Sequence, residues 1–207
     1  MTDPNTFSER GQEPFADIPT DPDAFLRWGA SLSHDDGYRY ELSEGKVTRV
    51  MIKISRAHWR VSKNVLIELS RIIDGTRFEV GPAEFGVKTG VGVRYPDVTV
   101  DQRNDRLEDL ACEAPMLIVE VLSPSSTALD LTTKQREYTA IASLQTYLVC
   151  SQDEPRVWVW KRRPDGTWPV DAEEIVGRDA SISLGRLDVE LSMSAIFRDI
   201  PDAPTAG

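Results

Sequence analysis

Asp97 and Glu120 stand in the two settings of this chain where a carboxylate is hardest to explain without chemistry. Pro96-Asp97 falls in a β-type segment, and Glu120 interrupts the apolar run Met116–Leu122. A carboxylate inside such a run is expensive to bury unless it is paired, protonated or bound to a metal. Two carboxylates projecting from neighbouring strand ends make a hard-oxygen site suited to Mg²⁺ or Mn²⁺. The plainer alternative is an exposed pleat or a local salt bridge, where an isolated strand Glu is more often found. The residues that follow bear on the choice. Asp130, Lys134 and Tyr138 lie four apart and share one helical face. That face can look back at the strand end and set an ammonium beside the carboxylates. There Lys134 would stabilise negative charge developing on phosphate, or orient a water, as metal-dependent phosphodiester hydrolysis requires. Asp130 and Lys134 could equally form a surface ion pair contributing about a few tenths of a kcal/mol.

The elements that must position these groups can be read from periodicity. Met116–Leu122 is the most apolar run and predicts a central strand. After Ser123–Ser126, residues 127–142 predict a helix with Thr127 as its N-cap, and 146–150 the next strand. A helix between two strands predicts parallel pairing of 116–122 with 146–150. Upstream, Tyr38–Leu42 and Val47–Ile52 predict a hairpin turning at 43–46 with Gly45. Trp59, Val61, Val65, Leu66, Leu69, Ile72 and Ile73 recur at helical spacing, predicting a helix over 55–73 that ends at Asp74-Gly75. A short helix opens at Asp21-Pro22-Asp23. Further short strands are expected at 76–80, 85–89, 94–101, 156–160 and 167–170, with 102–113 a charged loop. From Leu187 a last strand and one helical turn around Met193–Phe197 are expected. The order implies an α/β sheet with helices against it. Residues 1–20 read as a flexible polar tail, 21–200 as one domain and 201–207 as a C-terminal tail.

Composition narrows the function classes. The chain has 207 residues, 40% hydrophobic and 28% charged, which suits one domain with a full core. No apolar run is long enough to cross a bilayer, and the acidic, Pro-containing N-terminus lacks signal-peptide character. A cytoplasmic location without membrane partners is the expectation. Cys112 and Cys150 lack CxxC spacing, and with His34 and His58 they make no finger-like zinc pattern. A buried free thiol is the expectation for Cys150. The net charge of −10 argues against a protein that coats DNA without regard to sequence. Any nucleic-acid contact must therefore be local.

Taken together, Pro96-Asp97, the run Ile118–Ser125 and the trio Asp130, Lys134 and Tyr138 resemble the Uma-type restriction endonuclease family of the PD-(D/E)xK nuclease superfamily. Tyr40-Glu41-Leu42 with Gly45 resembles its N-terminal hairpin, and Ser55–His58 the start of its long helix. Thr146–Val149 and Val157–Trp160 resemble the strands after the nuclease motif, so the likeness spans about residues 20–200. It implies a restriction-endonuclease-like α/β fold, a mixed central sheet flanked by helices. It also implies a Mg²⁺- or Mn²⁺-dependent endonuclease acting on DNA, with Asp97 and Glu120 as metal ligands. The superfamily's lysine position is Leu122 here, which cannot act on phosphate, so Lys134 on the next helix is the implied replacement. Glu41 is a further candidate carboxylate. Lys46 departs from the acidic residue the family often has after the glycine.

Several other residues bear on partners. Arg56, Arg60 and Lys63 are the best basic candidates for nucleic-acid contact, although with Arg71 they also read as a solvated helix face. If nucleic acid binds, Lys53, Arg56, Arg60, Lys63, Lys134 and Arg136 are the expected rim of the site. His58 reads as a polar contact at a helix start rather than a base. Trp158 and Trp160 alternate with Val157 and Val159, so at least one face of that strand is core. A homodimer is expected, because cutting both strands needs two sites. The competing reading is a non-catalytic binding or scaffold protein on a nuclease fold, which Leu122 and the acidic charge favour.

Overall fold

The computed structural model describes residues 18–32, 37–51, 53–122 and 128–201, except for the side chains of Met51 and residues 128–130. The expected N-terminal tail before residue 18, the Ser123–Ser126 segment, the Thr127 N-cap, the Asp130 side chain and the tail after residue 201 lie outside that description.

The chain opens with α1 (Pro22–Ala30), whose N-cap Asp21 accepts from the Ala24 amide at 2.9 Å, with Pro22 at the first helical position. The hairpin β1 (Tyr38–Ser43) and β2 (Lys46–Met51) pairs from Tyr38↔Met51 to Ser43↔Lys46. Its two-residue loop has positive φ at both Glu44 and Gly45, the backbone that matches strand twist in a tight turn. α2 (Arg56–Ile72) follows, capped by the Ser55 hydroxyl on the His58 amide at 3.0 Å. Then come β3 (Phe78–Pro82), β4 (Gly86–Thr89), β5 (Gly92–Arg94), β6 (Val98–Gln102), β7 (Ala111–Cys112) and β8 (Pro115–Val121). α3 (Ala128–Thr139) leads to β9 (Thr146–Cys150), β10 (Arg156–Lys161), β11 (Glu173–Val176), β12 (Ser181–Leu184), β13 (Val189–Ser192) and α4 (Met193–Ile196).

The central sheet runs β11-β10-β9-β8-β6-β3. β8 and β9 pair in parallel across the α3 crossover, from Leu117↔Thr146 to Val121↔Cys150, and the other pairs are antiparallel. It is a mixed sheet, as expected. A second sheet runs β2-β1-β5-β4-β7, and β12 with β13 forms a separate ribbon.

Strand alternation sorts β8 between two cores. Leu117, Val119 and Val121 face a core shared with Val61, Val65 and Leu69 of α2 and with Met193 and Ile196 of α4. Ile118 faces the opposite core, with Tyr138 of α3, Tyr147 and Val149. Glu120 has the parity of Ile118, so the strand aims it at α3. A third cluster seats Phe25 and Leu26 of α1 on Leu42 and Val93. Gly92 is required there: a Cβ on it would lie 1.9 Å from the Leu42 carbonyl oxygen.

Some boundaries differ from the sequence pattern. Residues 167–170 form no strand, because Pro169 has no N–H to give a ladder and the Thr167 amide bonds to Asp165 Oδ1 at 2.9 Å. The partner of β10 is β11 instead. The expected strand 94–101 splits into β5 and β6, which join different sheets across Tyr95–Asp97. α3 stops at Thr139, whose hydroxyl bonds back to the Gln135 carbonyl at 2.8 Å. Both faces of β10 are covered: Val157 and Val159 lie in the α2 core, and Trp158 and Trp160 pack on the α3 core.

Candidate active site

Glu120 is buried at the end of β8, where a carboxylate needs compensation. α3 supplies it. The Tyr138 hydroxyl donates to Glu120 Oε1 at 2.8 Å, and the Lys134 ammonium lies 3.1 Å from the same oxygen. The four-residue spacing of Lys134 and Tyr138 puts both on one carboxylate oxygen. Glu120 Oε2 accepts no hydrogen bond among the described residues. Burial pushes the Glu120 carboxyl above its ordinary value; Lys134 opposes this, while Asp97 and Glu41 add to it. Burial also raises the Tyr138 hydroxyl well above its usual range, with Glu120 and Glu41 adding to the effect. Tyr138 is therefore a neutral donor at any physiological pH.

Asp97 stands immediately before β6. The register Val98↔Val119 extended by one step sets it across from Glu120. Its carboxylate is anchored twice: Oδ2 accepts from the Val121 amide at 2.7 Å, and Oδ1 meets His58 Nε2 at 2.9 Å. His58 is buried, and its Nδ1 has no hydrogen-bond partner. Because a carboxylate oxygen can only accept, Nε2–H donates to Asp97 and holds that side chain from the first turn of α2. The Ser55 hydroxyl that caps α2 donates to Gln152 Oε1 at 2.7 Å, fixing the helix start to the segment after β9.

Glu41 does not project freely toward the other carboxylates. Its Oε2 accepts from Arg94 Nη1 at 2.9 Å, and Oε1 lies 3.8 Å from Arg39 Nη2. Arg94 is itself buried and forks onto Glu137 of α3, with Nε and Nη2 at 2.8 and 2.9 Å from its two oxygens. The Ser43 hydroxyl adds a 2.5 Å bond to Glu137. Burial works against the Arg94 charge, but Glu137 and Glu41 outweigh it and hold its pKa above the ordinary value. For Glu137 burial likewise pushes upward, and the bonds from Arg94 and Ser43 prevail, leaving its carboxyl low. This lattice ties β1 and β5 of the second sheet to α3, one turn beyond Lys134 and adjacent to Tyr138. Nothing in the sequence singles out Arg94, Glu137 or Ser43: each is an ordinary polar residue until three distant segments meet.

The basic candidates separate. Arg60 bonds the Asp199 carbonyl at 3.1 Å, Arg136 pairs with Glu44 at 2.7 Å and Arg71 with Glu68 at 2.6 Å. Arg56 and Lys53 are exposed, and Lys63 lies over the Trp59 ring. Leu122 packs against the α3-side core. Cys112 and Cys150 are buried free thiols. Burial raises the Cys112 thiol to about 12 and the Cys150 thiol further, so neither is a nucleophile at neutral pH. Among the described residues, no three His, Cys, Asp or Glu side chains cluster as a preformed metal cage. No helix among them is long and apolar enough to cross a membrane.

A mixed sheet that carries a carboxylate at the end of a central strand, facing the crossover helix behind it, has the architecture of a nuclease fold. Its likeness to a solved structure agrees: a crystal structure from Anabaena variabilis ATCC 29413, described as a putative nuclease belonging to DUF820, superposes with a TM-score of 0.63 at 19% identity. That match covers 83% of this chain and 96% of the other. The Uma2 family, described as putative restriction endonuclease, matches residues 22–193, and the chain belongs to that family. Relatives in Synechocystis sp. (strain ATCC 27184 / PCC 6803 / Kazusa) include the uncharacterized protein slr1290, 27% identical over 187 residues, 86% of this chain and 92% of that one. The uncharacterized protein sll1609 of the same strain is 33% identical over 98 residues, 46% of this chain and 54% of the other.

Proposed function

We infer that this protein is a divalent-metal-dependent endonuclease that hydrolyses phosphodiester bonds of DNA. The observation that carries the reading is the state of Glu120. It is buried at a strand end across from Asp97, with Lys134 and Tyr138 both on Oε1 and, among the described residues, no hydrogen bond on Oε2. Such an oxygen invites a cation. Asp97 and Glu120 suit Mg²⁺ or Mn²⁺, since Mg²⁺ is commonly bound by one or two carboxylates and keeps several waters. When bound there, the ion would supply Lewis-acid polarisation of the scissile phosphate and neutralise part of its charge.

The remaining work falls to the chain. Lys134 has its ammonium beside Glu120 and would stabilise the negative charge that builds on the phosphate oxygens as water attacks and the ester P–O bond breaks. Tyr138 fixes Glu120 by donating to Oε1, which leaves Oε2 as the ligating oxygen. His58 and the Val121 amide hold Asp97 from two sides, as partners of metal-binding carboxylates commonly do. Glu41, neutralised by Arg94 and Arg39, contributes field rather than a ligand. Arg56, Arg60 and Lys63 remain the candidates for phosphate contact, with Arg56 and Lys63 the better placed because Arg60 is held by Asp199.

Two sites are needed to cut both strands of a duplex, so a homodimer is the form expected for double-strand cleavage. Free buried cysteines suit a reducing cytoplasm. The competing reading is a nuclease-fold binding module without catalysis. It is favoured by the net charge of −10 and by a carboxylate set smaller than a preformed cage. Incubation of supercoiled plasmid and of circular single-stranded DNA with Mg²⁺ or Mn²⁺ separates the two. The wild type should cut at least one of them, and Asp97→Asn, Glu120→Gln and Lys134→Ala should cut neither. A folded wild type that leaves both intact with either ion supports the binding module.

A further inference from the structure

The mechanism above leaves Trp59 without a task. It lies in α2 immediately after His58, whose ring holds Asp97. At 48% exposure it is the one aromatic among the large hydrophobic side chains that the described residues leave open. The other tryptophans are spent on packing: Trp28 meets Phe25 and Tyr40, and Trp158, Trp160 and Trp168 line the α3-side core. A tryptophan carries roughly 150–250 Å² of largely apolar surface that folding or binding usually removes from water. One left half in water, next in the chain to the histidine that holds a candidate catalytic carboxylate, is an unfinished surface.

Its surroundings say what finishes it. Arg56, Trp59 and Lys63 are spaced three and four apart and so form one stripe on α2. The Lys63 ammonium rests 4.7 Å from the Trp59 ring centroid, a cation–π cover on the face a flat partner would use. Arg56 is exposed and pairs with no carboxylate among the described residues. α2 as a whole carries Arg56, Arg60, Lys63 and Arg71 against the single acid Glu68, in a chain of net charge −10. Exposed Ile54 precedes the helix on the same end. A cationic stripe interrupted by an open indole complements an anionic backbone carrying unpaired aromatic rings. A duplex keeps its bases stacked inside and offers the indole nothing. The few cations available also cannot grip a long run of phosphates.

We propose that Trp59 is a stacking platform for an unpaired base, and that the substrate of the site is single-stranded DNA, an overhang or a flap rather than continuous duplex. On binding, Lys63 leaves the ring for a phosphate and a base takes its place on the indole, while Arg56 meets the adjoining phosphate. This rests on the nuclease reading for the position of the scissile bond, but the stacking itself does not.

The test measures binding with Ca²⁺ in place of Mg²⁺, using a twelve-nucleotide oligothymidylate and a blunt hairpin duplex of equal phosphate number. The single strand should bind more tightly and quench tryptophan fluorescence. Trp59→Phe should keep most of the affinity and lose the quench. Trp59→Ala should weaken single-strand binding about 10- to 100-fold, the range expected for one lost base–aromatic stack, with duplex binding unchanged. Equal affinity for both probes, or single-strand binding indifferent to Trp59→Ala, overturns the proposal. So does sedimentation showing a wild-type dimer that Trp59→Ala dissociates, which assigns the stripe to a second copy of the chain. If the wild type binds the single strand through Trp59 yet cuts nothing with Mg²⁺ or Mn²⁺, the nuclease reading fails while this one stands.

Discussion

Replacing Arg94 by Met tests how the second sheet holds the site. The substitution removes the cation that Glu41 and Glu137 share, and leaves both carboxylates buried at the junction of β1, β5 and α3. Breaking a buried pair by deleting one partner costs about 3–5 kcal/mol, because the surviving charge is left uncompensated. Two survivors would raise that, but Glu137 keeps the Ser43 hydroxyl and Glu41 keeps Arg39 at 3.8 Å, so the single-pair range is the expectation. Against a domain stability of roughly 5–15 kcal/mol this is a large fraction. At about 2–4 °C per kcal/mol for a chain of this size, the midpoint of thermal unfolding should fall by roughly 6–20 °C. The loss should also depend on pH. Glu137 is depressed in the fold, so in the wild type it contributes stability above its ordinary value of 4.5, and that contribution fades as pH falls through its folded value. In the variant burial is no longer offset by Arg94 and raises the same carboxyl, so the gap between wild type and variant should narrow as pH falls through that raised value and on down to the wild type's depressed one. The triple variant Glu41→Gln, Arg94→Met, Glu137→Gln carries no orphan charge and should recover much of the loss. Thermal and urea unfolding across pH 3–8 measure all of this. A single variant within about 1 kcal/mol of wild type, or a triple variant no better than the single, would refute the claim that neutralisation of these carboxylates holds α3 in place.

Mn²⁺ or Mg²⁺ should raise the unfolding midpoint of the wild type, by the equivalent of about 2.7 kcal/mol at a hundred times Kd, and Glu120→Gln should lose the shift; an equal shift in both places the ion elsewhere. Because burial raises the Glu120 carboxyl, Glu120→Gln should also be more stable than wild type at neutral pH without metal, read by the same melts. Lys134→Ala should abolish cleavage while circular dichroism stays native, and cleavage at the wild-type rate would show the lysine to be misassigned. Gly92→Ala should destabilise by about 3 kcal/mol or more, since its Cβ would meet the Leu42 carbonyl carbon and oxygen at 2.5 and 1.9 Å; a melt unchanged from wild type would mean that β1 and β5 can part without cost.

What one segment could encode, the sequence determined. The apolar run 116–122, the helix behind it and the strand 146–150 fixed a parallel pair, because each has its own period and a helix must join them. The same logic put Glu120 on a strand and Lys134 with Tyr138 on one helical face, and the two side chains do converge on Glu120 Oε1. Glu44-Gly45 set the hairpin through backbone conformation alone. Where competing local signals were weak, as at 167–170, the tertiary ladder chose a neighbouring segment. Only the tertiary structure decided which charges meet across long stretches of chain. His58 reads as a polar residue at a helix start and becomes the holder of Asp97, thirty-nine residues away. Glu41 reads as one more carboxylate for the site and is instead taken up by Arg94, which also reaches Glu137. No local pattern encodes such pairings, because charge acts through space with no period along the chain. The fold decides which carboxylates are neutralised and which keep an oxygen open.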